Sequence, residues 1–211
     1  MKRRDFSLAL GALGFAGALR AQTPAIKAGK DYLVLDKQQP SDVPAGKIEV
    51  LEFFSYNCPH CAAFEPVLEA WARKLPADVV LRRVPVPFIG DFENKQRLYF
   101  ALEAMGRLDD LHPKAFDAIH RQRQNLAGEK ATADWLAKQG VDMAKYNDIA
   151  KSFGVSTKLR RAAQLTDAYK VEGVPALGIA GRYYTDGTLA GSLERSLQVA
   201  DALIAQARKG G

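Results

Sequence analysis

Four consecutive residues, Cys58-Pro59-His60-Cys61, constrain this chain more than any other feature, because of what stands on either side of them. Ile48 to Phe54 is a nearly continuous apolar run, interrupted only by Glu49 and Glu52, and reads as a buried strand. Beyond the tetrapeptide, Phe64, Val67, Leu68, Trp71 and Leu75 recur at helical spacing until Pro76 ends the pattern. Val79 to Val86 is a second strand, closed by Pro85 and Pro87. Strand, helix and strand in that order make a β-α-β unit, with parallel strands and a right-handed crossover. The two cysteines thus fall where a buried strand hands over to the first turn of a helix.

Before this unit, Tyr32 to Leu35 reads as a short strand followed by a Pro-rich turn. After it, from about residue 90 to 171, the pattern is helical throughout. Leu98, Ala101, Leu102 and Met105 share one face and Gly106 is a stop; Phe116 and Ile119 mark a second helix. Thr132 is the expected cap of a helix carrying Trp135 and Leu136, and Asp142 of one carrying Tyr146, Ile149 and Phe153, stopped by Gly154. Ser156 is the expected cap of the last, which carries Leu159, Ala163, Leu165 and Tyr169. Strand chemistry then returns in a hairpin, Ala176–Ala180 and Arg182–Thr185, and Ser192 opens a terminal amphipathic helix. The order matches a thioredoxin core: an α/β fold whose β-α-β and β-β-α halves are separated by an all-helical insertion. The expected division is 22–90 and 172–211 for the thioredoxin-fold domain and 91–171 for the insertion.

The N-terminus carries an export signal by composition. Lys2, Arg3 and Arg4 precede a mostly apolar run from Phe6 to Leu19, too short for the roughly 20 residues that cross a bilayer. Ala16-Gly17-Ala18 supplies an A-x-A-like cleavage site and a cut after Ala21 also fits, so residues 1–21 are assigned to the signal. Arg3-Arg4-Asp5-Phe6 resembles a twin-arginine signal, but ordinary export signals tolerate paired arginines too. Removing the signal lowers the formal charge from +6 to +3, 26 basic against 23 acidic residues, and leaves no run of five basic residues. Nucleic acid is therefore not an expected partner. Export places the chain in an oxidising compartment, where disulfides persist. A bridge between its two cysteines closes almost no loop, so stabilisation is not its purpose.

A cysteine at a helix N-terminus faces unpaired backbone N–H groups and the positive end of the helix dipole, both of which favour thiolate over thiol. Cys58 takes that position and is the expected nucleophile. Cys61, one turn along and more buried, is the resolving thiol. His60 adds positive field when protonated, and Pro59 fixes the backbone where a missing N–H costs nothing. A zinc site is the competing use of two cysteines, but His60 apart, the histidines are His112 and His120, read as ordinary helical residues. No metal or organic cofactor is expected.

Glu52-Phe53-Phe54-Ser55-Tyr56 leading into Cys58-Pro59-His60-Cys61, then Phe64-Glu65 and finally Gly173-Val174-Pro175, closely resemble the DsbA family of periplasmic disulfide oxidoreductases. On base rates alone the Val174–Pro175 bond is trans. The resemblance implies instead a cis-proline loop beside the active pair, in which the backbone of Val174 pairs with substrate main chain. It also implies that Glu52 and Glu65 tune the pair or relay protons. Read from the residues, an acid in the apolar run at Glu52 needs a reason, whereas Glu65 serves equally as a solvated helix residue. The implied activity is a periplasmic dithiol oxidase that donates a Cys58–Cys61 disulfide to exported proteins bearing free cysteines. The implied protein is a monomer, reoxidised by a DsbB-like, quinone-linked membrane partner. A disulfide isomerase, a reductase and a chaperone-like binder of unfolded chains are the alternatives. Asn57, Ala62 and Ala63 depart from bulkier residues in relatives and bear on the shape of the substrate-facing groove.

Overall fold

The computed structural model describes residues 25–210, so the expected export signal over residues 1–21 lies outside the described residues. β2 (Ile48–Phe54) runs parallel to β3 (Val79–Pro85) and antiparallel to β4 (Ala176–Ile179). β5 (Tyr183–Asp186) pairs with β4 as a hairpin, and the short β1 (Leu33–Val34) closes the far edge. The sheet order is β1-β5-β4-β2-β3. α1 (Pro59–Ala72) and α8 (Leu193–Ala207) pack against each other, tied by a 2.9 Å hydrogen bond from the Trp71 indole N–H to Asp201. Between β3 and β4 run α2 (Phe92–Ala104), α3 (Leu108–Phe116), α4 (Gly128–Lys138), α5 (Met143–Ala150) and α6 (Phe153–Ala168). A π-helical turn, Asp117–Arg121, prolongs α3, and the short α7 (Gly187–Ala190) follows β5. This is a thioredoxin fold with a helical block between its halves.

The period of two along β2 positions the chemistry. Val50 packs with Phe64 and Leu68 of α1 and with α8, while Leu51 and Phe53 face the core shared with the helical block. Glu52, two residues from Val50, therefore points to the α1 side, towards Glu65. On the other side, a Cβ at Gly178 of β4 would stand 2.4 Å from the buried Tyr169 ring, so only glycine lets α6 seat its last aromatic residue.

Three expected helix boundaries move. Thr132 lies inside α4, which begins at Gly128; the Asp91 carboxylate, from the segment before α2, accepts the Gly128 N–H at 2.8 Å and supplies the cap from a distance. Thr132 instead donates its hydroxyl to the Leu126 carbonyl. Ser152, not Ser156, caps α6 by accepting the Val155 N–H, so Gly154 lies in the first turn of a helix rather than ending one. Phe153, expected inward, is 80% exposed at the first position of that helix, beside the Arg160 guanidinium. Asp142 and Ser192 do cap α5 and α8.

Candidate active site

β2 ends at Phe54, and a tight turn, closed by the Cys58 N–H on the Ser55 carbonyl at 3.0 Å, delivers Cys58 to the mouth of α1. Cys58 is the N-cap residue, with extended backbone (φ −91°, ψ 116°), and Pro59 opens the helix. Its sulfur accepts the Cys61 N–H at 3.4 Å, the role a serine or aspartate oxygen plays at other caps. Both cysteines are thiols in the structure. Hydrogen bonding from the Cys61 thiol, joined by the backbone N–H groups of Cys61 and His60 and last by the His60 charge, brings Cys58 down to about 6 against the pull of burial. Cys61 is fully buried, and that burial, reinforced by Cys58 beside it, drives its thiol far upward. The two sulfurs of one tetrapeptide are thus pushed in opposite directions.

The Val174–Pro175 peptide bond is cis, where residue statistics alone give trans. The Val174 carbonyl accepts from the Cys58 thiol at 3.3 Å, bringing this loop against Cys58 from 116 residues away in sequence. His60, Val174, Pro175, Gly187, Thr188 and Leu193 line an open cavity of about 290 Å³ beside the sulfur. A second, of about 580 Å³, opens on the other flank of α1 between Pro59, Ala62, Pro66, Phe116 and His120. The small side chains at 62 and 63 face this flank rather than the Val174 loop.

Below the cysteines lies a buried charged cluster. Glu52 is completely buried and Glu65 is 4% exposed, so neither is a solvated residue. Arg83, from β3, joins them: its Nη2 donates to Glu65 at 2.8 Å and also to Glu69, while Nε stands 3.0 Å from Glu52 without the alignment of a hydrogen bond. Burial, then the neighbouring Glu65 charge, raises Glu52 to about 8 despite Arg83. Burial also works against Glu65, but the His112 ring and the Arg83 guanidinium outweigh it and hold that carboxyl low. The two carboxyls are thus pushed in opposite directions, Glu65 towards the anion paired with Arg83 and Glu52 towards the protonated form.

Arg83, His112 and Tyr56 join the site beyond the residues expected from sequence. The Tyr56 hydroxyl and His112 Nδ1 are 2.7 Å apart, and His120 Nε2 stands 2.8 Å from the Tyr56 carbonyl. An arginine pair, Arg82-Arg83, in the middle of an otherwise apolar strand was the available signal for Arg83. Nothing comparable marked His112, which owes its place to the packing of α3 on α1.

Residues 49–198 match the model of the DSBA-like thioredoxin domain. The chain belongs to the DsbA-like thioredoxin family. It is 48% identical over 200 residues to the thiol:disulfide interchange protein DsbA of Bordetella parapertussis, covering 92% of this chain and 95% of the relative. The DsbA of Pseudomonas aeruginosa is 41% identical over 190 residues, 90% of each chain. The crystal structure of that P. aeruginosa DsbA superposes with a TM-score of 0.83, over 88% of this chain and 96% of the other. The oxidoreductase DsbA of Xylella fastidiosa superposes with a TM-score of 0.80 at 29% identity, over 87% and 98% of the two chains. Membership makes this chain a thiol:disulfide oxidoreductase, and in the DsbA-like fold the tetrapeptide, the cis-proline loop and the buried carboxylates come together as described above.

Proposed function

We propose that this oxidoreductase works in the oxidising direction in the periplasm, as a monomer, donating a Cys58–Cys61 disulfide to exported proteins through a mixed disulfide. The observation that carries the reading is the opposite displacement of the two thiols, Cys58 lowered to about 6 and Cys61 raised by burial. A substrate thiolate attacks Cys58 Sγ; the Cys58–Cys61 bond breaks and its electron pair goes to Cys61. A thiolate at Cys61 is strongly disfavoured there, so it takes up a proton as it leaves. Glu52, protonated up to about pH 8, is the buried acid whose charge bears on Cys61. A second substrate thiolate then attacks the substrate sulfur of the mixed disulfide, and Cys58 departs as a stabilised thiolate. The substrate has lost two electrons and two protons, and the enzyme holds the electrons as a reduced pair.

In this reading the Val174 backbone and Pro175 receive the extended substrate chain next to Cys58, and His60 contributes a minor part of the field. Partners are folding proteins with free cysteines and, for reoxidation, a DsbB-like membrane protein. The test is oxidative refolding of a reduced, two-cysteine substrate by the oxidised enzyme. Stoichiometric substrate oxidation that Cys58→Ser abolishes supports the reading. Activity only as a reductant, or retained suppression of aggregation in Cys58→Ser with no oxidation by the wild type, contradicts it.

A further inference from the structure

His112 is a polar ring in a place where packing asks only for an apolar one. It is 3% exposed and surrounded by aromatic rings, with centroids of Phe54, Tyr56, Tyr99 and Phe116 at 5.2 to 5.7 Å. A phenylalanine would satisfy every one of these contacts. Its two nitrogens do not behave alike. Nδ1 lies 2.7 Å from the Tyr56 hydroxyl, while Nε2 makes no hydrogen bond and has the Glu65 Oε1 at 3.4 Å. Burying a polar group with so poor a partner works against folding, so the imidazole is not there for stability.

The surroundings decide which nitrogen carries the proton. The titratable and charged groups that face the ring are Tyr56 of the turn before α1, Glu65 and Glu69 of α1, Tyr99 of α2 and Arg83 of β3, with Glu52 of β2 behind the arginine. A Tyr56 hydroxyl that keeps its proton donates to Nδ1, which leaves the hydrogen on Nε2, directed at a carboxylate. The other tautomer would set a nitrogen lone pair against that carboxylate. We propose that His112, locked by Tyr56, is a positioning residue of the exchange site, whose Nε2–H holds Glu65 as the anion that engages Arg83. Arg83 is thereby shared away from Glu52, and Glu52 is left as the carboxyl that keeps its proton beneath Cys61.

Without the Nε2–H, Glu65 takes a larger share of the one proton that the two facing carboxyls hold between them, and Glu52 a smaller one. Glu52 then loses the second-largest influence that raises it, and Arg83 is free to pair with it more fully. Glu52 ionises at a lower pH, and the acid available to Cys61 disappears earlier in the titration. The idea rests on the proposed role of Glu52 in the exchange reaction, but its test reads the carboxylates directly and is independent of which way the enzyme moves electrons.

Carboxyl ¹³C NMR of the reduced enzyme, titrated in pH, provides that test. The wild-type Glu52 midpoint is expected near 8, and His112→Phe should lower it by about one pH unit. His112→Gln, which restores an N–H donor, should bring the midpoint back most of the way. A midpoint unmoved in His112→Phe, or moved equally in His112→Gln, overturns the inference and leaves His112 a packing residue. Tyr56→Phe, which removes only the hydroxyl, should shift the midpoint in the same direction if His112→Phe does not fold. No shift in Tyr56→Phe would then reject the inference. Oxidative refolding of a reduced substrate, run on the same variants, separates this result from the direction of catalysis.

Discussion

Replacing Cys61 by alanine asks which group lowers Cys58. The substitution removes the Cys61 thiol, the largest influence on Cys58, and keeps the Cys61 backbone N–H that also reaches the sulfur. In the wild type Cys58 falls from an ordinary 9.0 to about 6, which raises the thiolate-to-thiol ratio about a thousandfold. At pH 7 an ordinary thiol is only about one per cent ionised, whereas Cys58 is about nine-tenths ionised. The reduced state therefore gains about elevenfold, equivalent to about 30 mV for this two-electron couple. In Cys61→Ala the midpoint of alkylation by iodoacetamide should rise by at least about one pH unit, with the rate at pH 6 falling in proportion to the lost thiolate. His60→Ala, which removes only the smallest of these influences, should raise the midpoint by a few tenths and make the disulfide slightly less oxidising. A Cys61→Ala midpoint that stays near 6, with a large rise in His60→Ala, would refute the assignment and place the field on the imidazole.

Other substitutions test the surrounding structure. Glu52→Gln removes the only carboxyl of the cluster raised to about 8, so the acceleration that substrate oxidation draws from a proton at Glu52 below that pH should vanish in stopped-flow measurements. The same variant changes stability with a known sign. Native Glu52 holds a proton between its ordinary 4.5 and about 8 that the unfolded chain has released, so it makes stability fall as pH rises through that window. Urea unfolding of Glu52→Gln should show a shallower fall. Gly178→Ala drives a methyl into the Tyr169 ring and should lose about 1–3 kcal/mol in the same assay. Ser192→Ala removes the acceptor for the Arg195 N–H at the start of α8 and should cost about 1 kcal/mol.

What could be read from sequence was what local strings determine. The run Ile48–Phe54, the tetrapeptide and the pattern of α1 are contiguous, and together they place Cys58 at a helix N-terminus before any tertiary contact is known. Glu52 announced itself as a charge in an apolar strand. The partner that makes it intelligible, Arg83, arrives through the parallel pairing of β2 and β3, in which Glu52 and Arg83 are direct neighbours. His112 reaches the site only because α3 and its π-helical extension pack beside α1, a contact with no sequence signature. The misplaced starts of α4 and α6 share a physical origin. Several serines and threonines compete as caps in that stretch, and α4 takes its cap from Asp91, 37 residues away. The cis geometry of Val174–Pro175 is likewise invisible in the dipeptide and became an expectation only through family resemblance.

The most direct test of the oxidase reading is the reduction potential of the Cys58–Cys61 pair, by equilibration with glutathione buffers. Thioredoxin-like and DsbA-like pairs stand about 150 mV apart, or about 7 kcal/mol. A value at the oxidising, DsbA-like end is expected from the family, with the Cys58 thiolate supplying about 30 mV of the gap. A value at the thioredoxin-like end would contradict disulfide donation and make the enzyme a reductase.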